Sequence, residues 1–282
     1  MRAFLSPLVP RAGVVLLLAG AVAPLVPSAA GEEPAARVRP GTVVRWLGEG
    51  TDSCAIGKQT WPPLDGACLY PIDLLRGEGP VDLVRTRGGR RDQARVEVGP
   101  YDYPTQTLTL PTEKVDLSPE SLARVQRENR DIGRLWGRRG PRRFGLPLHA
   151  PLDPLPEGGR FGSRRIINGQ PKSPHSGADF SAPAGEPVLA AADGLVALVG
   201  DHFFGGNSVF VDHGDGLISM YLHLSRVLVA EGQAVGRGQA VGAVGATGRA
   251  TGPHLHLGLR WHGAKVDPAV LLGDPAALVT LR

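Results

Sequence analysis

Short runs in which apolar and polar residues alternate fill the chain from about residue 37 to residue 110, separated by glycine- and arginine-containing turns. Successive side chains of a strand point to opposite faces of a sheet, so such runs are typical of half-buried strands. Several of them at close spacing predict a small β-sandwich-like domain over residues 31–112. The runs are 42–46, 69–75, 81–85, 94–98 and 105–110.

The pattern then changes from strand spacing to helical spacing. Ser118 suits the N-cap of a helix, Pro119 its first position, and Glu120 the positive end of the helix dipole. A proline-rich stretch follows at 141–156, so residues 113–157 are predicted to be a linking helix and a connector. The apolar residues that fall near one face of this helix are Leu122, Val125, Ile132 and Trp136.

From residue 158 to residue 282, short apolar runs again alternate with glycine turns. This pattern predicts an antiparallel sheet with a groove across it, and makes the whole chain mainly β (α+β). The predicted strands are 188–199, 207–212, 217–224, 239–244 and 255–261.

Composition agrees with this organisation. The chain of 282 residues contains 39 glycines and 26 prolines with only 5% aromatic residues, which favours many turns and short strands over a helical bundle. The net charge is +4 and the basic residues are scattered. A nucleic-acid partner is therefore not indicated.

The first thirty residues have the pattern of a secretory signal peptide. Arg2 and Arg11 give the positive start, 13–26 the apolar segment, and 28–30 a small-residue cleavage site. An uncleaved membrane anchor is the alternative, but the apolar run is short and contains prolines. No cysteine follows the cleavage site, which excludes lipid attachment there. The sequence therefore predicts an exported protein, periplasmic or secreted, with no stable membrane anchor after cleavage of segment 1–30.

Export leads to a prediction for the two cysteines of the chain, Cys54 and Cys68. In an oxidising compartment they are expected to form a disulfide, and no third cysteine competes. A zinc site built from two isolated cysteines, without a nearby histidine, is the weaker alternative.

Candidate chemistry is concentrated in an H-x-H motif formed by His254 and His256. If this stretch is a strand, both imidazoles lie on one face, roughly 7 Å apart along the backbone, and both can reach a single metal ion. An isolated H-x-H is more often the polar face of a half-buried strand. Further histidine motifs are therefore needed to support a metal site.

Such motifs are present. His175 and Asp179 lie four residues apart around Gly177, and the neighbouring prolines exclude a helix, so a turn is needed to bring the two side chains together. His223 lies in a further alternating run. Two histidine nitrogens and one aspartate oxygen make a three-ligand zinc site with an open position, which is the pattern of catalytic zinc. Spacing alone leaves open whether His254 or His256 is the second histidine ligand.

These motifs resemble those of the M23 family of metallopeptidases, the LytM or lysostaphin-like peptidoglycan endopeptidases. The family is marked by H-x(3)-D, a later Y-x-H and a closing H-x-H. The resemblance covers about residues 158–272, whereas the H-E-x-x-H pattern of helix-borne zinc sites is absent from the chain. The matching residues, in order, are His175 with Asp179, Tyr221 with His223, and His254 with His256.

The resemblance implies a role for each of these residues. His175, Asp179 and His256 are expected to bind Zn2+, which resolves the choice left open by spacing. His223 and His254 are expected to be the catalytic pair, but the resemblance does not indicate which of them is the general base. Further, Asn168 and Tyr221 are expected to contact substrate in the groove.

The resemblance also implies a function, hydrolysis of peptide cross-links in bacterial peptidoglycan by an exported zinc endopeptidase, with D-Ala–diaminopimelate bonds as the first choice. A glycyl-glycine endopeptidase is one alternative. A catalytically silent LytM-type activator of cell-wall amidases is another, but silent members typically lack some of the five site residues, and this chain keeps all five. In a further alternative, the connector or the first domain covers the zinc site and so inhibits the enzyme.

Overall fold

Two sheets built from the first part of the chain share one apolar core. They are seen in a computed structural model, which describes residues 34–282; the predicted signal peptide lies outside the described residues. The larger sheet has the order β1-β7-β6-β3-β4, while β2 and β5 pair in the second sheet. The strands are β1 (Ala36–Val38), β2 (Val43–Leu47), β3 (Thr51–Ile56), β4 (Gln59–Trp61), β5 (Ala67–Pro71), β6 (Gly79–Arg87) and β7 (Arg90–Val98).

The core between these sheets contains side chains from both, including Tyr70 of the second sheet and Leu83 of the first, each 0% exposed. The predicted sandwich-like arrangement is therefore confirmed. The predicted disulfide is also confirmed, because Cys54 on β3 is bonded to Cys68 on β5. It links the two sheets across their shared core.

The linking helix is confirmed as α1 (Pro119–Gly133), which follows β8 (Thr105–Leu108) and is extended by a short 3-10 turn, Arg134–Gly137. The hydroxyl of Ser118 accepts a hydrogen bond from the backbone N–H of Ser121 at 3.2 Å, as an N-cap does. No helix within residues 34–282 is long and apolar enough to cross a membrane.

The second half of the chain forms one large antiparallel sheet with the order β18-β14-β15-β16-β20-β12-β9, to which β21 is added by pairing with β20. This confirms the predicted antiparallel sheet. Its strands, with those of the smaller sheets, are β9 (Gly158–Gly159), β10 (Arg164–Ile167), β11 (Gln170–Lys172), β12 (Gly177–Phe180), β13 (Pro187–Leu189), β14 (Gly194–His202), β15 (Gly206–Asp212), β16 (Leu217–Leu224), β17 (Arg226–Val227), β18 (Ala234–Val235), β19 (Ala240–Ala243), β20 (Leu255–Trp261), β21 (Ala264–Val266) and β22 (Val279–Leu281), with helix α2 (Pro268–Leu272) before β22.

The two faces of the large sheet have different environments. One face packs against the small sheet β13-β19-β17, and Val188, Val209 and Leu257 of this core are 0% exposed. The opposite face is covered in part by the end of α1 and the 3-10 turn after it, where Ile132, Leu135 and Trp136 pack in one cluster with Phe210 and Ile218. The rest of that face remains open as a cleft.

Two strand pairings cross the boundaries predicted between residues 31–112 and 158–282. Strand β8 pairs in parallel with β10, which also pairs with β11. The last strand, β22, pairs in parallel with β2 and places Leu281 in the core of the first two sheets. The division into separate domains stays a prediction, and these pairings join its parts within the structure.

Candidate active site

Strand pairing brings the H-x(3)-D and H-x-H motifs together. Asp179 on β12 lies directly opposite His256 on β20 in the antiparallel register, so their side chains share one face at close range. Asp179 Oδ1 is 2.9 Å from His256 Nδ1 and 3.0 Å from His175 Nε2. The two histidine nitrogens are themselves 2.9 Å apart. These three side chains converge on one point, with all ligand atoms within 4.8 Å of one another.

The hydrogen bonds of His175 prepare it to be a ligand. Its Nδ1 is 2.8 Å from the carbonyl oxygen of Arg160, which can only accept, so Nδ1 carries the proton and Nε2 presents its lone pair to Asp179. The side chain is fully buried, and burial lowers the pKa of His175 to about 4. The imidazole is therefore neutral at physiological pH, as a metal ligand must be.

The carboxylate completes the set of acceptors. The Oδ1 atom of Asp179 lies within 3.0 Å of both imidazole nitrogens. A half-buried carboxylate and two imidazole nitrogens facing one another fit a cation better than they fit each other. The residues present thus match a three-ligand metal site with an open position.

A glycine between the first two ligands allows this convergence. A Cβ added to Gly177 would lie 2.5 Å from His256 Nε2, and closer still to the carbonyl oxygen of Leu257. No side chain fits there without displacing the histidine ligand or the neighbouring strand. The glycine of this motif is therefore required by close packing against β20.

His223 and His254 lie beside this cluster. The ring centroids of His223 and His254 are 4.8 Å apart, and the ring of His223 is 6.0 Å from that of His256. His223 Nδ1 bonds to the carbonyl oxygen of Thr247 at 2.9 Å, and His254 Nδ1 bonds to that of Gly252 at 2.8 Å. Each histidine therefore carries a proton on Nδ1, and neither Nε2 forms a hydrogen bond with the described residues.

Burial, together with the neighbouring His256 and His254, lowers the pKa of His223 to about 3 against the opposing hydrogen bond to Thr247. The Nε2 of His254 is 3.8 Å from Asp179 Oδ1, which places it beside the ligand cluster. Two imidazoles thus face the cluster of His175, Asp179 and His256 across a short gap, and the lowered pKa keeps the imidazole of His223 neutral. Such an arrangement can accept and return protons next to a bound metal ion.

A β-bulge brings His223 to this face. Between the pairs Asn207–Leu224 and Val209–Tyr221, β16 has one residue more than its partner β15. His223 adopts a positive φ of 65° at this point, which interrupts the strand alternation. Bulges near functional sites re-aim side chains in this way. Without the bulge, His223 would point to the same face as Tyr221.

The structure corrects the prediction that Tyr221 contacts substrate. Its side chain is 0% exposed on the core face of β16, where its hydroxyl accepts hydrogen bonds from the Ala191 N–H at 2.7 Å and from Ser219 Oγ at 3.0 Å. Burial raises the pKa of Tyr221 to about 12. The role of Tyr221 is therefore to support the sheet beneath the cleft.

Asn168 lies on a turn after β10 with a φ of 50°. Its Oδ1 accepts a hydrogen bond from the Leu110 N–H at 3.0 Å, and its Nδ2 donates one to the Leu110 carbonyl at 2.9 Å. Both polar atoms of the side chain are thus committed to holding the segment after β8. A contact between Asn168 and substrate stays a prediction.

The five remaining site residues line one cavity of about 900 Å³. They are His175, Asp179, His223, His254 and His256. One wall is formed by β8, β10 and β11, and the other by the segment around Phe204 and Arg249. Sequence reasoning did not assign a role to Arg165 and Arg249, which line this cleft. Their positions could have pointed to the cleft, because Arg165 and Arg249 lie in the segments that flank the histidine motifs.

Comparisons with known proteins identify the family. Residues 173–268 match the model of peptidase family M23. The crystal structure of a Pseudomonas aeruginosa protein assigned to peptidase M23 is 35% identical in sequence; the match covers 83% of this chain and 94% of that one, with a TM-score of 0.65. This chain therefore belongs to peptidase family M23.

Curated relatives share the peptidase region but are much longer. Peptidoglycan DD-endopeptidase ShyA of Vibrio cholerae is 47% identical over 95 residues, which are 34% of this chain and 22% of that protein. Peptidoglycan DD-endopeptidase ShyC of the same organism is 42% identical over 123 residues, 43% of this chain and 28% of that protein. The chain thus spans about a quarter of the length of these relatives.

Proposed function

We propose that this protein is an exported, zinc-dependent endopeptidase that hydrolyses peptide cross-links in bacterial peptidoglycan. The observation that carries the proposal is the cluster of His175, Asp179 and His256 with two further imidazoles facing it. Structural metal sites have no need of such a pair, whereas hydrolysis needs groups that move protons. The names of the curated relatives, both peptidoglycan DD-endopeptidases, favour D-Ala–diaminopimelate bonds.

The proposed ligands of zinc are His175 Nε2, Asp179 Oδ1 and His256 Nδ1. Two imidazole nitrogens and one carboxylate are a ligand set that zinc commonly has in hydrolases, with one position left open. When bound, zinc supplies Lewis acidity that polarises a carbonyl group and acidifies water. The carboxylate of Asp179 would balance part of the positive charge of the ion.

His223 and His254 are the proposed catalytic pair. Because backbone carbonyls fix the proton of each ring on Nδ1, each Nε2 is available to take a proton from water and to return it to the leaving amine. The tethers also hold the rings in fixed orientations. Proton transfer is therefore assigned to His223 and His254 together, since Nε2 is the available atom in both rings.

The proposed location is outside the cytoplasm. The signal-like segment 1–30 supports export, and the disulfide between Cys54 and Cys68 is typical of oxidising compartments. Peptidoglycan is the partner that this location makes available.

Mass spectrometry of cross-linked peptidoglycan after incubation with the zinc-loaded protein tests the proposal. The control is His256→Ala, which removes a ligand while leaving the substrate-facing residues of the walls in place. Cross-linked muropeptides should be converted to monomers by the wild type alone, and the masses of the fragments identify the bond that is cut.

Two other outcomes would overturn parts of the proposal. Fragments that end in glycine would show that the protein cuts a glycyl-glycine bond and not a D-Ala–diaminopimelate bond. If both proteins left the walls intact but stimulated an added cell-wall amidase, the protein would be a non-catalytic activator and not an enzyme.

A further inference from the structure

Two arginines in the cleft, Arg165 and Arg249, form no ion pair among the described residues. Arg165 lies on β10 and Arg249 precedes the H-x-H strand, and both line the same cavity as the five site residues. The Nε of Arg165 is buried and makes no hydrogen bond. Buried polar atoms are nearly always bonded, and the Oε1 of Gln106, directly opposite Arg165 in the strand register, is likewise buried and unbonded. One acceptor for Nε is therefore present in the wall itself, whereas the terminal N–H groups of the guanidinium have no hydrogen-bond partner among the described residues.

The side chain of Arg249 is held in place without being neutralised. The guanidinium of Arg249 lies over the ring of Phe204 at 4.2 Å from the centroid, and its backbone N–H donates to the Phe204 carbonyl at 2.9 Å. Arg165 is flanked by Gln106 on β8 and Lys172 on β11. A cation that stacks on an aromatic ring keeps its charge and its remaining N–H donors available.

The two guanidinium groups also affect each other. Burial, with a smaller contribution from the positive charge of Arg165, lowers the pKa of Arg249 to about 10. Burial lowers the pKa of Arg165 as well, with Arg160 adding to this effect and Asp179 opposing it. Two partly buried like charges within reach of each other are costly unless an anion lies between them.

The surroundings do not supply that anion. The cleft contains the basic residues Arg160 and Lys172 in addition to the arginine pair, against the acidic residues Glu157 and Asp179. Asp179 is committed to the histidine cluster, and no ion pair of Glu157 is formed with either arginine. The cleft is therefore positive along the wall beside the ligand cluster, and would be more so with a metal ion bound.

We propose that Arg165 and Arg249 form a carboxylate-binding subsite that selects peptide cross-links bearing a free carboxylate next to the scissile bond. This inference rests on the proposed function. In a D-Ala–diaminopimelate cross-link, the carbon attached to the scissile nitrogen carries such a carboxylate, whereas a glycine bridge has none there. The planar fork of arginine matches the two oxygens of a carboxylate. The pair thus explains how the cleft favours one type of bond.

A matched pair of synthetic cross-linked peptides tests the subsite. One peptide carries the free carboxylate on the carbon next to the scissile nitrogen, and the other carries a carboxamide at that position. Binding is measured by calorimetry on the full chain in the presence of a chelator, and kcat/KM is measured on the zinc-loaded protein. The variants are Arg165→Met, Arg249→Met and Arg165→Lys, with Arg226→Met as control, since Arg226 is exposed and lies outside the cleft.

The wild type and Arg226→Met should prefer the carboxylate peptide by about tenfold or more in both measurements, as expected for a charge-assisted hydrogen bond. Arg165→Met and Arg249→Met should lose this preference by weakening only the carboxylate peptide. Arg165→Lys keeps the charge but not the fork, so it should retain part of the preference. Unchanged unfolding midpoints would show that the variants fold.

Equal affinity and equal kcat/KM of the wild type for the two peptides would overturn the subsite. An equal loss of affinity for both peptides in the methionine variants would overturn it as well. If both peptides were cleaved at the same rate, the subsite would be wrong and the proposed function would stand. If the carboxylate peptide bound preferentially but neither peptide was cleaved, the proposed function would be wrong and the subsite would stand, because the binding measurement does not depend on hydrolysis.

Discussion

His223 combines two features that are rare in one residue, a φ of 65° and an imidazole that faces a cluster of ligand-type side chains. A positive φ in a residue other than glycine costs on the order of 1 kcal/mol or more and persists where the surroundings enforce it. Here the surroundings are the bulge on β16 and the hydrogen bond to Thr247. The strained backbone thus serves to direct one ring into the cleft.

Replacement of His223 should separate catalysis from metal binding. His223→Ala leaves His175, Asp179 and His256 in place, so the protein should keep its zinc while kcat falls by about 10²–10⁴-fold, the usual contribution of a general acid or base. His256→Ala should lose zinc and activity together. Zinc content by elemental mass spectrometry and kcat on cross-linked peptide check both variants. Loss of zinc from His223→Ala, with the metal retained by His149→Ala outside the cleft, would instead make His223 a ligand.

Gly177 offers a test of packing at the metal site. In Gly177→Ala the added methyl group would overlap His256 Nε2 and the Leu257 carbonyl, so His256 must move away from Asp179. We expect zinc affinity to fall by at least tenfold and stability by about 1–3 kcal/mol, as for other overpacked sites. Zinc titration and denaturant unfolding measure the two effects.

The matched control is Gly133→Ala. Gly133 has helical dihedral angles and open space around its Cα, so alanine should leave zinc affinity unchanged and raise stability slightly. An equal loss of zinc affinity in the two alanine variants would contradict the packing argument.

The sequence predicted the residue types of the site better than their orientation. Ligand motifs are visible because chemistry restricts which side chains can bind zinc, and His175 with Asp179 was found in this way. Regular strand alternation would place Tyr221 and His223 on one face. Only the bulge separates them, and no glycine marks its positive φ in the sequence.

At the scale of elements, α1 was predictable because its signals are local. Ser118 and Pro119 mark its start in the sequence, and both act as expected in the structure. Its contact with the hairpin between β14 and β15 was not predictable, because it depends on residues distant in sequence. Glu128 accepts hydrogen bonds from Phe203 N–H at 2.9 Å and from Arg124 Nε at 2.6 Å.

Removing the Glu128 carboxylate should loosen this hairpin. Glu128→Ala leaves the Phe203 N–H without its acceptor, so we expect a loss of about 1–3 kcal/mol of stability and faster hydrogen exchange at the Phe203 amide. Since the neighbouring Phe204 supports Arg249, KM on acidic substrate should also rise. Hydrogen exchange with mass spectrometry and unfolding curves measure these changes.

Asp131→Ala on the same helix is the control. Asp131 forms an exposed ion pair with Arg134, and such pairs contribute less than about 1 kcal/mol. If Asp131→Ala exposed the Phe203 amide as strongly as Glu128→Ala does, general fraying of α1 would explain the result, and the specific tether would be wrong.

At the scale of the molecule, the two halves of the chain are joined by contacts that no local pattern announces. The parallel pairing of β22 with β2 connects segments near opposite ends of the chain. Strand pattern predicts that such segments are strands but does not indicate their partners. A second connection is aromatic, since His262 stacks on Trp61 of β4 at a centroid distance of 4.3 Å and on Trp261 at 5.7 Å.

His262 makes this second connection sensitive to pH. Burial lowers the pKa of His262 to about 3, and the positive charges of Arg139 and Arg142 add to this effect. Its Nε2 has no hydrogen bond, and Asp215 Oδ1 lies 3.9 Å away. Between pH 3 and the ordinary histidine pKa, the unfolded chain therefore binds a proton at this site that the folded protein does not.

Stability should consequently fall as the pH drops below about 6.5, the unfolded pKa. From pH 7 to pH 5 the contribution of His262 amounts to about 2 kcal/mol. His262→Asn does not titrate, and asparagine tolerates the positive φ of this position. The stability difference between wild type and His262→Asn should then shift by that amount in favour of the variant at pH 5.

Urea unfolding at pH 7 and pH 5 gives this difference directly, and comparison with the variant removes the contributions of other buried histidines, which both proteins share. His149→Asn, outside the aromatic contact, should follow the wild type at both pH values. A difference between wild type and His262→Asn that stayed constant with pH would mean that His262 takes up its proton in the folded state. Asp215 would then have to approach the ring, and the contact between the two halves would be an ion pair rather than a neutral aromatic stack.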